Sequence, residues 1–337
     1  MRVLEIHGDS ADFGRTHAAE YAPLIKAYLA DRLELAGDAL WSGQNADADT
    51  ILSLAESTLG HHEAYSQSLF EEMGELAATS GISAAEAVVI GGFTDLIDLV
   101  RASGPAPVMD ECTAVIDPIR GVLAQTWDMH VSAGEYVVLL KLDPLSGPAA
   151  LVQTTAGCLG QIGMNEAGIA IGINNLTSIG KPGVTWPFVV RKVLQQADFD
   201  DAVKCVLDAD LAGGHNFLLM GPDGVGANIE AMPGARHVTP VEVQPFVHTN
   251  HCIDATTRSE EGWRDDVYVI NSDLRLARGN VHGGDVEAFF ADPVISKRAT
   301  DPHLTATCGA MVMRPSSRSL EAIWGVPGDR PWESFQL

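Results

Sequence analysis

The chain has 337 residues, 46% hydrophobic and 20% charged, a balance that excludes disordered and fibrous classes and supplies a sizeable core without metal or disulfide staples. Its 45 acidic and 21 basic residues leave a net charge of −24, which repels phosphate backbones and anionic headgroups, so neither nucleic acid nor a membrane surface is an expected partner. The five cysteines (Cys112, Cys158, Cys205, Cys252 and Cys308) form no CxxC pair and are odd in number, which disfavours a disulfide framework. Residues 1–10 lack the apolar core and cleavage site of a signal peptide, and no apolar run is long enough to span a bilayer. A cytoplasmic location is expected.

Residues 1–111 carry 19 acidic and 5 basic residues, so −14 of the charge sits there. Residues 12–35 read as a helix. Apolar positions Ile51, Leu54, Ala55, Leu59, Leu69, Phe70, Met73 and Leu76, in a stretch without Lys or Arg, predict an acidic amphipathic helix. Residues 84–100 predict a more buried one, with Ser83 as N-cap and Glu86 completing a capping box. Gly104, Pro105 and Pro107 then break the pattern, and from Cys112 the texture changes to short β-rich runs. Runs at 121–127, 136–142, 149–155 and 168–174 predict an antiparallel meander. Two short helices follow at 186–196 and 199–207, then strands at 216–220, 226–231 and 246–249, and a final pair at 305–313 and 319–325. A helical segment, 1–111, and a β-rich segment, 112–337, are expected to build one α+β domain in layers, since the order is not an alternating βαβ.

The common catalytic signatures are missing: no GxSxG, no HExxH, no GxxxxGK[ST], and Gly224-Val225-Gly226 lacks a third glycine. His61-His62 and the His248/His251 pair lack a third ligand at a recognised spacing, so neither metal nor cofactor is expected. What remains is Cys112, in Met109-Asp110-Glu111-Cys112-Thr113, where the helical segment gives way to strands. A cysteine there is either a small buried hydrophobe or a nucleophile. If the bond after Glu111 broke, Cys112 would become an amino terminus. One residue would then carry a thiol nucleophile and an α-amine base titrating near about 8.

Cys112-Thr113, Gln125-Thr126-Trp127-Asp128, Gly163-Met164-Asn165-Glu166-Ala167-Gly168, Asn216-Phe217 and His248-Thr249-Asn250-His251, in that order, resemble the acyl-CoA:6-aminopenicillanic acid acyltransferase family of N-terminal nucleophile hydrolases. The likeness runs from Gly8-Asp9 to Gly325-Val326-Pro327. It implies a four-layer αββα sandwich, and a precursor that cuts itself between Glu111 and Cys112 into two chains that stay associated. It further implies Cys112 as nucleophile, Asp128 holding the freed amine, and Asn175 and Asn250 as site amides. Trp127, Asn174 and Arg258 fall on the substrate side; Asn174 is the alternative to its neighbour Asn175, and Arg264 competes with Arg258 as the family's later arginine.

Three positions depart from the pattern. Glu111 stands where the penicillin enzyme has glycine; His303-Leu304 replaces a Ser-Arg pair; Met129-His130 follows Trp127-Asp128 in place of an aromatic residue. The substrate is therefore not expected to be a penicillin nucleus. The leading expectation is a cysteine amidohydrolase acting on a small N-acyl amine or amino acid through an acyl thioester. Acyl transfer to an amine, from an amide or from acyl-CoA, is the close variant, and a silent relative that uses its pocket for binding is the rival. A homo-oligomer stays open.

Overall fold

The computed structural model describes residues 2–101, 112–264, 266–300 and 304–337. Among them the first segment is β1 (Arg2–Gly8) and seven helices: α1 (Ser10–Gly37), α2 (Ala39–Ser42), α3 (Ala48–Glu56), α4 (Leu59–Tyr65), α5 (Gln67–Ser80), α6 (Ala84–Gly91) and α7 (Phe93–Arg101). The acidic stretch expected as one helix is three, α3 to α5. Ser57 Oγ and Thr58 Oγ1 bond back to the carbonyls of Leu54 and Ala55 at 2.6 Å each, competing with the helical ladder, and Ser66 restarts it as an N-cap. The Ser83/Glu86 capping box is present, but the helix it opens breaks at Gly92, where a Cβ would lie 2.3 Å from the Thr185 side chain. The boundary expected at 102–108 lies outside the described residues.

After Cys112 come β2 (Ala114–Asp117), β3 (Val122–His130), β4 (Val137–Pro144), β5 (Ala150–Thr155), β6 (Ile162–Asn165), β7 (Ala170–Leu176), α8 (Trp186–Leu194), α9 (Phe199–Leu207), β8 (Gly214–Met220) and β9 (Gly226–Ala231). The remainder is β10 (Arg236–Val241), β11 (Phe246–His248), α10 (Ala255–Arg258), α11 (Asp266–His282), α12 (Val286–Ala291), β12 (Thr305–Arg314), β13 (Ser319–Trp324) and β14 (Glu333–Gln336). The strands form an eight-stranded sheet, β1-β4-β5-β6-β7-β8-β9-β10, and a six-stranded sheet, β11-β2-β3-β12-β13-β14. All pairings are antiparallel except β1 with β4, which is parallel because β1 arrives from the far side of the helical segment.

The two sheets face each other through β2 and β3 on one side and β7 and β8 on the other. A buried glutamine ties them: Gln125 Oε1 accepts from the Ile173 backbone N–H at 2.7 Å, and its Nε2 donates to the Ile173 carbonyl at 3.0 Å. Gly172 makes room, since a Cβ there would sit 2.4 Å from Gln125 Oε1. Helices α8 and α9 cover the eight-stranded sheet. Val115, Ala124, Ala310 and Val312, on the outer face of the six-stranded sheet, pack on Phe289 and Phe290 of α12 and Leu276 of α11. The result is a four-layer αββα sandwich of α+β class. Among the described residues no single helix is long and apolar enough to cross a membrane.

The helical segment is stitched to the β-rich one by buried polar contacts. Asp95 accepts from the Trp186 N–H at 3.0 Å and meets His215 Nε2 at 2.7 Å; Asp98 accepts from Ser178 N and Oγ; Glu72 pairs with Arg191 at 2.8 Å. His62 lies between the Thr58 carbonyl and Thr185, and His17 Nε2 accepts from Gly157 N–H. Burial pushes both imidazoles down from 6.5 to about 4, so both are neutral in the folded state at neutral pH. Their contribution to stability is complete above about pH 6.5 and is lost as pH falls toward 4, because the unfolded chain binds protons that the folded one excludes. Unfolding near pH 5 should therefore take up about two protons at these residues that unfolding at pH 8 does not. Denaturation midpoints between pH 8 and 4 for the wild type and a His17→Gln/His62→Gln variant check this: the wild-type slope should flatten in the variant.

Candidate active site

Cys112 lies immediately ahead of β2 and is 2% exposed. The next residue is clamped to β3: Thr113 N–H donates to Thr126 Oγ1 at 3.1 Å, and Thr126 N–H donates to the Thr113 carbonyl at 3.0 Å. Two side-chain donors converge on the Cys112 carbonyl, Asn174 Nδ2 of β7 at 3.2 Å and Arg275 Nη1 of α11 at 2.7 Å. The thiol Sγ is 4.0 Å from the carbonyl of Asp128, on β3. The Asp128 carboxylate is itself buried and accepts from Thr307 Oγ1 at 2.7 Å, next to a bulge where β12 slips register between Thr307 and Gly309.

Arg275 is 1% exposed and spends its N–H groups locally: on the Cys112 carbonyl, on Thr113 Oγ1 at 3.1 Å, on Asn250 Oδ1 at 3.0 Å and on Asn271 Oδ1 at 2.7 Å. Asn250 in turn donates from Nδ2 to the Asn175 carbonyl at 3.0 Å, so its amide is locked at both ends. The loop that carries Asn250 is organised by Glu230 of β9. One carboxylate oxygen faces His248 Nε2 at 3.0 Å and accepts from Ile253 N–H at 2.5 Å, while the other accepts from Asp254 N–H at 3.1 Å and from the Thr257 hydroxyl. Burial alone would raise the Glu230 carboxyl, but the His248, Thr257 and Ile253 donors outweigh it and hold it down at about 2.

The predicted residues do not all meet. Asn174 pairs across the sheet with Asn216, whose amide donates to Asn174 Oδ1 at 3.3 Å, and both face Cys112. Asn175, expected as the site amide, pairs with His215, which points to Asp95 in the helical layer; strand alternation therefore turns the Asn175 side chain away and offers its carbonyl to Asn250 instead. Arg258 is not at Cys112: its guanidinium donates to the carbonyls of Cys252 and Ile253 within its own loop. Arg275 stands where Arg258 was expected. Trp127 is buried in the main core beside Cys112's strand, and Glu111 lies outside the described residues.

Arg275 escaped the sequence reading because α11 is amphipathic in reverse. Its buried face is polar, Ser272, Arg275 and Gly279, while Val267 and Ile270 are 66% and 64% exposed. A charged residue in register with small ones, at spacings of three and four, was the available signal.

Among the described residues no three His, Cys, Asp or Glu side chains gather as metal ligands would. Burial pushes the other thiols up, Cys158 and Cys205 to about 11 and Cys308 to about 12, with Cys252 raised further, so all four are protonated and unreactive at neutral pH.

Residues 117–278 match the family described as acyl-coenzyme A:6-aminopenicillanic acid acyl-transferase, so over that segment the chain is similar to this family, whose description is that of an enzyme. A curated relative, the 40 kDa form of the acyl-coenzyme A:6-aminopenicillanic-acid-acyltransferase of Emericella nidulans, is 23% identical over 190 residues, 55% of this chain and 52% of the relative. The match thus spans about half the length of that relative. Similar solved structures include a variant of conjugated bile acid hydrolase from Clostridium perfringens, at TM-score 0.48 and 10% identity, covering 67% of this chain and 92% of that one. Penicillin V acylase from Agrobacterium tumefaciens aligns at TM-score 0.40 and 11% identity, over 67% and 86% of the two chains.

The Glu230 cradle makes a prediction that needs no substrate. Glu230→Gln removes a buried charge from four donors, so it should destabilise the fold by about 2–3 kcal/mol and accelerate amide hydrogen exchange at Ile253 and Asp254. Unchanged exchange at those two amides would show that the loop is held by other contacts.

Proposed function

We propose that the protein is an N-terminal nucleophile cysteine amidohydrolase. It is made as a precursor, cut between Glu111 and Cys112, and acts on a linear amide of a small N-acyl amine or amino acid. The observation that carries this reading is the fixed carbonyl of Cys112, held by Asn174 and Arg275, with the Asp128 carbonyl 4.0 Å from the thiol. A residue whose carbonyl is anchored on two donors keeps its thiol in place after the peptide bond on its amino side is lost.

In the mature enzyme the freed α-amine of Cys112 takes the thiol proton, with the Asp128 carboxylate orienting the ammonium that forms. The thiolate adds to the amide carbon. Amide donors at this end of the sheet, Asn174 or Asn250, stabilise the tetrahedral oxygen once one exchanges its present partner for it. Collapse breaks the C–N bond, the leaving nitrogen takes the proton from the ammonium, and an acyl thioester remains. Water, deprotonated by the same amine, cleaves the thioester and restores the thiol. An amine in place of water gives acyl transfer, and the net charge of −24 disfavours a polyanionic acyl-CoA as donor.

After cutting, the two chains stay together, held by the β1–β4 pairing and the Asp95, Asp98 and Glu72 contacts.

Turnover of a panel of N-acyl amides, with and without an added amine, tests the reading. Cys112→Ala should abolish it. Asp128→Asn should lower kcat by about 10²-fold or more through a misplaced amine. Turnover that survives Cys112→Ala, or an acyl-CoA plus amine reaction that is fast where amide hydrolysis is slow, overturns it.

A further inference from the structure

Two arginines of the chain that follows β11, Arg264 and Arg275, differ in one respect. Arg275 has every side of its guanidinium engaged. In Arg264, whose side chain is 9% exposed, Nε and Nη2 are buried and neither has a hydrogen-bond partner. Its nearest anion, Glu261 Oε1, is 3.9 Å from Nη2, beyond hydrogen-bond reach, and that oxygen accepts from the Cys252 N–H at 3.1 Å. Burial also pushes the Glu261 carboxyl up, which makes it a weak claimant on the arginine.

The position of Arg264 is set by backbone. Glu261 bridges Ser178, and Gly262 N–H donates to the Thr177 carbonyl at 2.9 Å, so residues 261–262 run along the edge of the chain that leaves β7 two residues beyond the Asn174–Asn175 pair. A Cβ at Gly262 would lie 3.1 Å from Thr177 Cγ2 and 3.4 Å from Arg101 Nη2, which brings the second guanidinium of this edge beside it. Arg101 is already paired with Asp98 at 2.8 Å and donates to the Ser178 carbonyl. Along the same edge, Asn175 Nδ2 and Oδ1 and Thr177 Oγ1 are buried without hydrogen-bond partners. The charges of Asp98 and of Arg275 both act on Arg264, so it lies within electrostatic reach of the arginine that holds the Cys112 carbonyl.

A buried guanidinium with two unused donors costs several kcal/mol unless an anion meets it, and its flat fork matches a carboxylate through two parallel bonds. We propose that Arg264 is the anchor for a carboxylate on the substrate, with Thr177 as a neutral hydrogen-bonding neighbour, so that the enzyme prefers N-acyl amino acids to uncharged N-acyl amines. This rests on the amidohydrolase reading above and narrows its substrate class.

The test uses the mature two-chain protein with N-hexanoylglycine and its uncharged counterpart N-hexanoylglycinamide as probes. Wild type should show kcat/KM for the acid at least about tenfold above that for the carboxamide. Arg264→Gln should raise KM for the acid at least about tenfold and leave the carboxamide unaffected, while Arg264→Lys, which keeps the charge but not the fork, should fall between. Calorimetric binding of N-hexanoylglycine to the mature protein and to its Arg264→Gln variant separates the two failures: binding that Arg264→Gln removes, without turnover in the wild type, rejects the amidohydrolase reading and keeps the anchor. Equal losses for both probes in Arg264→Gln, or no wild-type preference for the acid in turnover or binding, overturns the proposal.

Discussion

The carbonyl oxygen of Cys112 is the point on which the site depends. Asn174 reaches it from the eight-stranded sheet, Arg275 from the helix that covers the six-stranded sheet, and Cys112 itself opens the six-stranded sheet, so one oxygen links three of the four layers. A hydrogen bond from a charged donor is worth about 1.5–3 kcal/mol, more than twice a typical neutral one, and here it also excludes water from a buried backbone group. The Cys112–Thr113 backbone cannot shift without breaking that bond, the Thr113–Thr126 pair and the Asn250–Arg275 contact together. The thiol is thereby held in place through its own main chain.

Each donor needs support from further out. Asn250 is held by a loop whose backbone amides close on Glu230, a carboxylate that carries its charge in the core because His248 and three other donors meet it. Arg275 is held by Asn271 one turn earlier, and by Asn250 itself. Asn174 is set by Asn216 across the β7–β8 ladder. These supports come from β9, α11 and β8, which is why the site exists only once both sheets and the outer helices have assembled.

Much of this was legible because it is local. The Ser83 capping box, the helices at 186 and 199, and the strands β3, β4, β5 and β7 carry their signals within a few residues, and the αββα class followed from the family resemblance. The four-residue strands β2 and β6 and the largely unburied β10 were less legible because they are too short or too polar to show an alternation, and β1 because its partner β4 lies far along the chain. At the site, position nominated Cys112 and the family resemblance Asp128 and Asn250, but neither could choose between Asn174 and Asn175. That choice depends on which face of β7 meets Cys112, and a shift of one residue reverses it. Arg258, with Arg264 as its competitor, was expected as the family's later arginine, whereas the fold brings in Arg275 from a helix whose apolar residues face outward.

The central claim is that Cys112 becomes an amino terminus, and intact-mass measurement of the purified protein tests it most directly. The account predicts two components, of 111 and 226 residues, meeting at Glu111 and Cys112, and a single component of 337 residues for Cys112→Ala. A wild-type protein that stays one chain while hydrolysing amides, or a Cys112→Ala protein cut at the same bond, would contradict it.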